Sequence, residues 1–467
     1  MAPAIPAAME RPHFIGIGGA GMSGIARILA QRGAKVAGSD ARESETAASL
    51  RALGATVHIG HAAHHLADDA SCVVVSSAIR ADNPELARAA ELGIPVVHRS
   101  DALAACMKDL RAVAVAGTHG KTTTTSMLAV ALTELGLDPS YAIGGDLAGP
   151  GTNALHGTGE IFVAEADESD RSFHAYDPEV AIVLNVELDH HANYASMEEI
   201  YASFEAFVAK IRPGGTLVVG EHAGARTLAG IVAGQPDLDI VTVGESETSD
   251  VWIREITARG MTSEVTVVLD GVAHTFTVSV PGRHYAHNAA AALAAGARVG
   301  IDPAALAEAL TAYTGVGRRL QLKGEAAGVQ VIDSYAHHPT EMTADLEAMR
   351  AAAGTDRRLL VVFQPHLFSR TRELGAEMGR ALALADRSVV LDIYPAREDP
   401  IPGVTSALIL DAAVAAGADA TEVHDKATVP DVIAGMARPG DLVLTMGAGD
   451  VTDIGPRILA RLSNRGS

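Results

Sequence analysis

Short apolar runs alternate along this chain with longer Ala- and Leu-rich stretches of helical period. Residues 13–18, 35–39, 72–76 and 95–98 read as strands, and a helix is predicted over 22–31. Strands separated by helical stretches imply a parallel sheet with crossover helices. The rhythm restarts at 111–116, where a second strand runs into a second glycine-rich turn, followed by a helix over 124–135. A polar, β-rich insert lies near 240–281, with alternation in Glu264-Val265-Thr266-Val267-Val268-Leu269. Glycine and charge at 315–324 mark a boundary, and a third α/β rhythm follows, with strands at 329–333, 358–364, 388–393 and 441–446. The pattern predicts an α/β fold of three domains, over 1–109, 110–323 and 324–467.

Composition narrows this picture without changing it. A chain of 467 residues suits three domains, and 48% hydrophobic with 20% charged residues is a globular balance. The formal charge of −21 argues against non-specific binding to nucleic acid or anionic membranes. The two cysteines, Cys72 and Cys106, cannot build a disulfide framework. No basic-then-apolar leader opens the sequence, and no uninterrupted apolar run reaches the roughly 20 residues that span a bilayer. The expectation is a soluble, cytoplasmic protein, monomer or homodimer, with no membrane insertion and no nucleic-acid partner.

Two glycine loops carry the candidate chemistry. Gly16-Ile17-Gly18-Gly19-Ala20-Gly21 follows a strand and opens a helix, with Asp40 at the end of the next strand. That is the dinucleotide-binding pattern, in which glycines let backbone N–H groups and a helix N-terminus approach a diphosphate. NAD, FAD and a UDP-sugar all present that diphosphate. The second loop is Gly117-Thr118-His119-Gly120-Lys121-Thr122-Thr123, again between a strand and a helix. There backbone amides would cradle phosphates, Lys121 would reach the β/γ oxygens and Thr122 would ligate Mg²⁺. The spacing departs from the common phosphate-loop pattern, whose first glycine would fall at Val115.

ATP needs a metal, and a metal needs hard ligands. Two downstream strands end in them. One runs into Glu165-Ala166-Asp167-Glu168-Ser169-Asp170, the other into Asn185-Val186-Glu187-Leu188-Asp189-His190. Glu165 and His190 read as functional, whereas Asp170 and Glu198 read as solvated loop charge.

Together these motifs resemble the Mur ligase family, and within it the alanine-adding member, over about residues 13–450. The strings that carry the resemblance are HFIGIGGAGMSGIA (13–26), GTHGKTTT (117–124), EADESD (165–170), NVELDH (185–190), GRH (282–284), GVGRRL (315–320), YAHHPTE (335–341), YPAREDPIPGVTS (394–406) and GAGD (447–450). The tripeptide-recycling ligase is the nearest alternative within the family. The resemblance implies a Rossmann-like N-terminal domain holding UDP, a central P-loop-type ATPase domain and a Rossmann-like C-terminal domain bringing the amino acid. It implies ATP and Mg²⁺ as cofactors, and UDP-N-acetylmuramate and L-alanine as substrates for peptidoglycan synthesis.

Carried across by position, the UDP-sugar would meet Gly18, Gly19, Ala20, Gly21, Met22, Ser23, Asp40, His61, Ser76, Ser77 and His119. ATP would meet Gly117, Thr118, His119, Gly120, Lys121, Thr122 and Thr123, with His284, Asn288 and Asp333 on the nucleoside side and Arg319 on phosphate. Thr122, Glu165 and His190 would hold metal. His337, His338, Arg370 and Arg372 would surround the alanine and the acyl group. Three positions depart from the family pattern: Tyr285 stands for an Asn, Ser334 for a second acid and Leu367 for a frequent Arg.

The implied chemistry is activation of a carboxylate as an acyl phosphate, followed by attack of the alanine amine. Lys121, Arg319 and Mg²⁺ would neutralise the phosphates, and His337 or His338 would take the amine proton or only bond the substrate. Two readings from other classes compete. An NAD-dependent oxidoreductase leaves Lys121 and the acids unexplained, and a non-catalytic nucleotide sensor predicts losses at Lys121, Glu165 and His190 that do not occur.

Overall fold

The computed structural model describes residues 6–147, 151–188, 194–396 and 398–464. They form two compact units. One comprises Met1–Glu255, Thr266–Phe276 and His287–Tyr313, the other Ile256–Val265, Thr277–Ala286 and Thr314–Ser467.

The first unit opens with a five-stranded, wholly parallel sheet in the order Thr56–Ile59, Ala37–Asp40, Pro12–Ile15, Cys72–Val75, Val96–His98. The strand order reverses between Pro12–Ile15 and Cys72–Val75, so a ligand crevice lies beyond their carboxyl ends. The first glycine loop and Ser76-Ser77 follow these two strands. The helix Ala20–Gln31 buries Met22, Ile25, Ala26, Ile28 and Leu29, a helical period that gives one apolar face. Glycine is required at Gly38, because a Cβ there would come within 2.5 Å of the Phe14 carbonyl oxygen.

A second sheet has ten strands. Its order is Val272–Val278, Thr262–Leu269, Val251–Arg259, Asp239–Gly244, Thr216–Val219, Val180–Val183, Arg111–Ala116, Ile161–Glu165, Ser140–Ala142, Ala154–Leu155. Arg111–Ala116 lies between the parallel strands Val180–Val183 and Ile161–Glu165, and five of its six residues are buried. Cover on both faces explains its unbroken apolar run. The helix that follows spans Lys121–Glu134, starting three residues earlier than its apolar pattern suggests, because Thr122, Thr123, Thr124, Thr125 and Ser126 are all buried.

The second unit holds a six-stranded sheet, in the order Gln321–Ala326, Val329–Ser334, Leu442–Met446, Leu359–Phe363, Arg387–Leu391, Ala420–Val423. Its first pair is antiparallel and the rest are parallel. Val331, Leu360, Val362, Val443, Ile454 and Ile458 form its core. Among the described residues no helix is long and apolar enough to cross a membrane.

Candidate active site

The phosphate loop is stapled to the end of the neighbouring strand. Asn185 accepts from the His119 amide at 2.7 Å and donates to the His119 carbonyl at 3.0 Å. The Glu187 amide donates to Thr118 Oγ1 at 2.9 Å. Gly120 takes φ +85°, and a Cβ there would come to 2.8 Å of Asn288 Oδ1 and 2.9 Å of Leu184 Cδ1. Glycine is therefore needed twice over, for conformation and for space. The same contact puts Asn288 against the loop. Lys121 is the first helical residue, so the helix N-terminus faces the loop and favours phosphate.

Lys121 donates to the Gly117 carbonyl at 2.7 Å and pairs with Glu168 at 2.8 Å. Burial alone would pull this ammonium down; Glu168, then Asp167 and Glu165, hold it above its ordinary value. Lys121 is therefore a fixed positive charge. Thr122 Oγ1 donates to both Glu165 oxygens, at 3.0 and 3.1 Å, and the Gly144 amide donates to Glu165 at 2.6 Å. Glu165 is still pushed up by burial, against the pull of Lys121 and these donors. A half-buried carboxylate beside a hydroxyl oxygen is a donor set that fits Mg²⁺. His190, the expected third ligand, lies outside the described residues.

Arg99 ties this site to the first glycine loop. Its guanidinium pairs with Asp170 at 3.0 Å and Asp167 at 3.3 Å. Its Nη1 lies 2.8 Å from the place of a Cβ on Gly21. Burial would lower the guanidinium, but Asp170 and Asp167 raise it above its ordinary value. Asp170 is thus an ion-pair partner with its side chain 18% exposed, not the solvated charge its position suggests; Glu198 is exposed as expected. A cavity of about 180 Å³ opens here, lined among others by Ala20, Gly21, Arg99, Gly144, Glu165 and Asp167.

In the first loop, Gly18 and Gly19 lead into the helix, and Gly19, Ala20 and Gly21 are exposed. Met22 and Ser23 turn inward, 3% exposed each, and their amides bond Gly19. Asp40 accepts from the Gly18 amide at 2.8 Å, so it closes the loop itself. Ser76 is half-buried and Ser77 exposed at the next strand end.

The second unit gathers a separate set. His337 Nδ1 donates to the Tyr335 carbonyl at 2.9 Å, and its ring packs edge-on to His366. Burial pulls His337 to about 4, with Arg370 adding to the effect and Glu341 opposing it. His366 falls to about 4 for the same two reasons, burial and Arg370, and Arg370 donates to its Nδ1 at 3.4 Å. Both imidazoles are neutral at pH 7. Buried His338 caps the helix Pro339–Ala353 through the Thr340 amide. Arg319 lies over the Tyr335 ring and 3.7 Å from Glu341. Arg372 is not brought to this group. It stands about 200° around the helix from Arg370, exposed and paired with Glu373. Leu367 holds φ +72° at the start of that helix, a strained state for leucine. Asp333 is fully buried and accepts from Thr445 and Thr452 at 2.7 Å each. Ser334 donates to Asp345, which also faces His284 at 3.2 Å. A carboxylate thus stands beside Ser334, supplied by the next helix rather than by the strand.

Sequence reasoning missed Arg99, Glu168, Asp345 and His366. His366 adjoins Leu367, one of the three departures from the family pattern, and Glu168 lies within the acid run, so both were findable. Arg99 and Asp345 carry no local signal, because their partners are distant in the chain.

Three family models match in succession: Mur ligase family, catalytic domain, over 11–111; Mur ligase middle domain, over 115–296; and Mur ligase, glutamate ligase domain, over 318–449. The UDP-N-acetylmuramate–L-alanine ligase of Streptomyces avermitilis is 78% identical over 466 residues, covering 100% of both chains. That of Paenarthrobacter aurescens is 51% identical over 97% of each. The crystal structure of UDP-N-acetylmuramate–alanine ligase from Thermotoga maritima superposes with a TM-score of 0.80 at 29% identity, covering 97% of this chain and 99% of that one. A murein peptide ligase from Psychrobacter arcticus gives 0.69 at 26%, covering 97% and 98%. With a paired lysine in a stapled phosphate loop, a carboxylate–hydroxyl pair beside it and full-length relatives at this identity, the chain belongs to the Mur ligase family.

Proposed function

We propose that the chain is an ATP-dependent ligase that joins L-alanine to the carboxylate of UDP-N-acetylmuramate, giving ADP and phosphate in peptidoglycan precursor synthesis. The observation that carries this reading is the 78% identity, end to end, to a ligase of that name. We assign residues 1–109 to UDP-sugar binding, 110–323 to ATP and 324–467 to alanine, in a soluble cytoplasmic enzyme. The three sheets support that division.

A carboxylate is a poor electrophile, so it must be activated before an amine can attack it. One carboxylate oxygen attacks the γ-phosphorus and the bond to ADP breaks, leaving an acyl phosphate. Lys121, held charged by Glu168, is placed to meet the transferring phosphoryl oxygens, and the loop amides hold the phosphates in line. Mg²⁺, bound through Thr122 and Glu165, would supply charge neutralisation on the phosphates. The alanine amine then attacks the acyl carbon, and the tetrahedral intermediate expels phosphate carrying the original carboxylate oxygen. In His337 the proton sits on Nδ1, bonded to the Tyr335 carbonyl, which leaves the Nε2 lone pair to accept the amine proton. Arg370 would pair with the alanine carboxylate. That pairing would relieve the positive charge depressing His337 and make it a stronger base.

Isotope transfer tests the sequence of steps. UDP-N-acetylmuramate labelled with ¹⁸O in its carboxylate should release phosphate bearing one ¹⁸O, with alanine in the product. Unlabelled phosphate would rule out the acyl phosphate.

A further inference from the structure

Glu85, in the first turn of the helix Pro84–Leu92, has a side chain with no exposure at all. Nothing in the proposed reaction uses it. Its Oε2 lies 2.6 Å from His13 Nε2 and accepts from Ser39 Oγ at 2.8 Å. Its Oε1 accepts from the Ala62 amide at 3.3 Å and lies 3.3 Å from His61 Nδ1. Ser39 Oγ is itself 2.9 Å from His61 Nδ1. His65 Nδ1 stands 3.9 Å away. Burial alone would push the carboxyl up, but His13 and Ser39 hold it below its ordinary value. It is therefore ionised.

An ionised carboxylate can only accept hydrogen bonds, and a serine hydroxyl has one proton to give. Ser39 gives that proton to Glu85, so towards His61 it can only accept. In the neutral ring His61 must then carry its proton on Nδ1, which leaves a lone pair on Nε2. The direction of each bond is dictated outward from the core. His61, with 27% of its side chain exposed, is the end of the relay that reaches solvent.

We infer that Glu85 is a positioning residue of the nucleotide-sugar site, which acts through Ser39 to hold His61 as a hydrogen-bond acceptor, so that His61 selects a ligand offering an N–H or O–H donor. A uracil imide N–H and a ribose hydroxyl share that chemistry. The inference rests on the proposed reading of His61 as a UDP-sugar contact. A merely structural Glu85 would stabilise the fold and leave ligand choice alone.

The test is calorimetric titration of the full chain with UDP, N3-methyl-UDP and 2′-deoxy-UDP. The wild type should lose about tenfold in affinity for whichever analogue lacks the donor, the loss of one hydrogen bond, and that analogue identifies the source. Ser39→Ala should weaken UDP by about the same factor and abolish the discrimination. Glu85→Gln should do likewise, because either amide orientation places an N–H where an acceptor is needed. If Glu85→Gln fails to fold, Ser39→Ala decides alone. Both variants should raise KM for UDP-N-acetylmuramate and leave kcat within about twofold. Equal wild-type affinity for all three nucleotides, or discrimination retained in Ser39→Ala, overturns the inference. His61→Ala with unchanged UDP affinity overturns the underlying site reading instead. His61→Ala weakened while Ser39→Ala and Glu85→Gln stay normal refutes the relay only.

Discussion

The two glycine loops share one architecture and differ in almost everything chemical. Each joins a buried parallel strand to a helix N-terminus, at a place where the strand order reverses. The loop at 117–123 carries Lys121 and sits against Glu165 and Glu168. The loop at 16–21 contains no charged side chain, is closed by Asp40 on the Gly18 amide and meets a cation, Arg99, that belongs to another helix. Backbone geometry suits both of them to a diphosphate. Only the second has acidic side chains from a neighbouring strand end and a lysine suited to phosphoryl transfer. In the proposed reading, the first loop holds a phosphate that must not react and the second activates one that must.

Breaking the second loop should have the largest effect. Lys121→Ala should lower kcat by about a thousandfold or more, the scale of removing one strong charge from a transition state. It should leave UDP-N-acetylmuramate binding intact by calorimetry. A parallel loss of UDP-sugar affinity would mean the two loops are not separate devices. Arg99→Ala is next. It removes the cation that lines the cavity and leaves Asp170 without its guanidinium partner, so KM for UDP-N-acetylmuramate should rise about tenfold, one unpaired, partly buried charge. The ATP KM should move far less. Asp40→Asn retains an acceptor for the Gly18 amide, so its cost should be about two- to threefold in UDP-sugar KM.

The smallest effect lies in the second unit. His337 and His366 are held at about 4, below their unfolded values near 6.5. The unfolded chain therefore binds more protons than the folded one between pH 6.5 and about 4. Stability falls as pH drops through that window. His366→Gln should flatten the decline of melting temperature there. An unchanged slope would show that His366 is not buried neutral.

Most of the fold was legible in the sequence, and the reason is burial. Strands such as Arg111–Ala116 and Leu359–Phe363 are covered on both faces, so their apolar runs are unbroken. The edge strands Thr56–Ile59 and Ala420–Val423 are half-exposed and polar, so no such run announces them. The same logic divides the site. Lys121, Thr122 and Glu165 lie in local strings whose spacing encodes the chemistry. Arg99, Asp345 and Glu85 do not, because each gains its role from a partner more than ten residues away. Arg372 shows the converse. It shares a motif with Arg370, yet helix geometry turns it to solvent.

Phosphate release from Mg-ATP, followed with and without each substrate, tests the central claim most directly. The account predicts release that requires both UDP-N-acetylmuramate and L-alanine together and falls to background in Lys121→Ala. Release that continues without either substrate, that prefers another amino acid to alanine, or that survives in Lys121→Ala would contradict it.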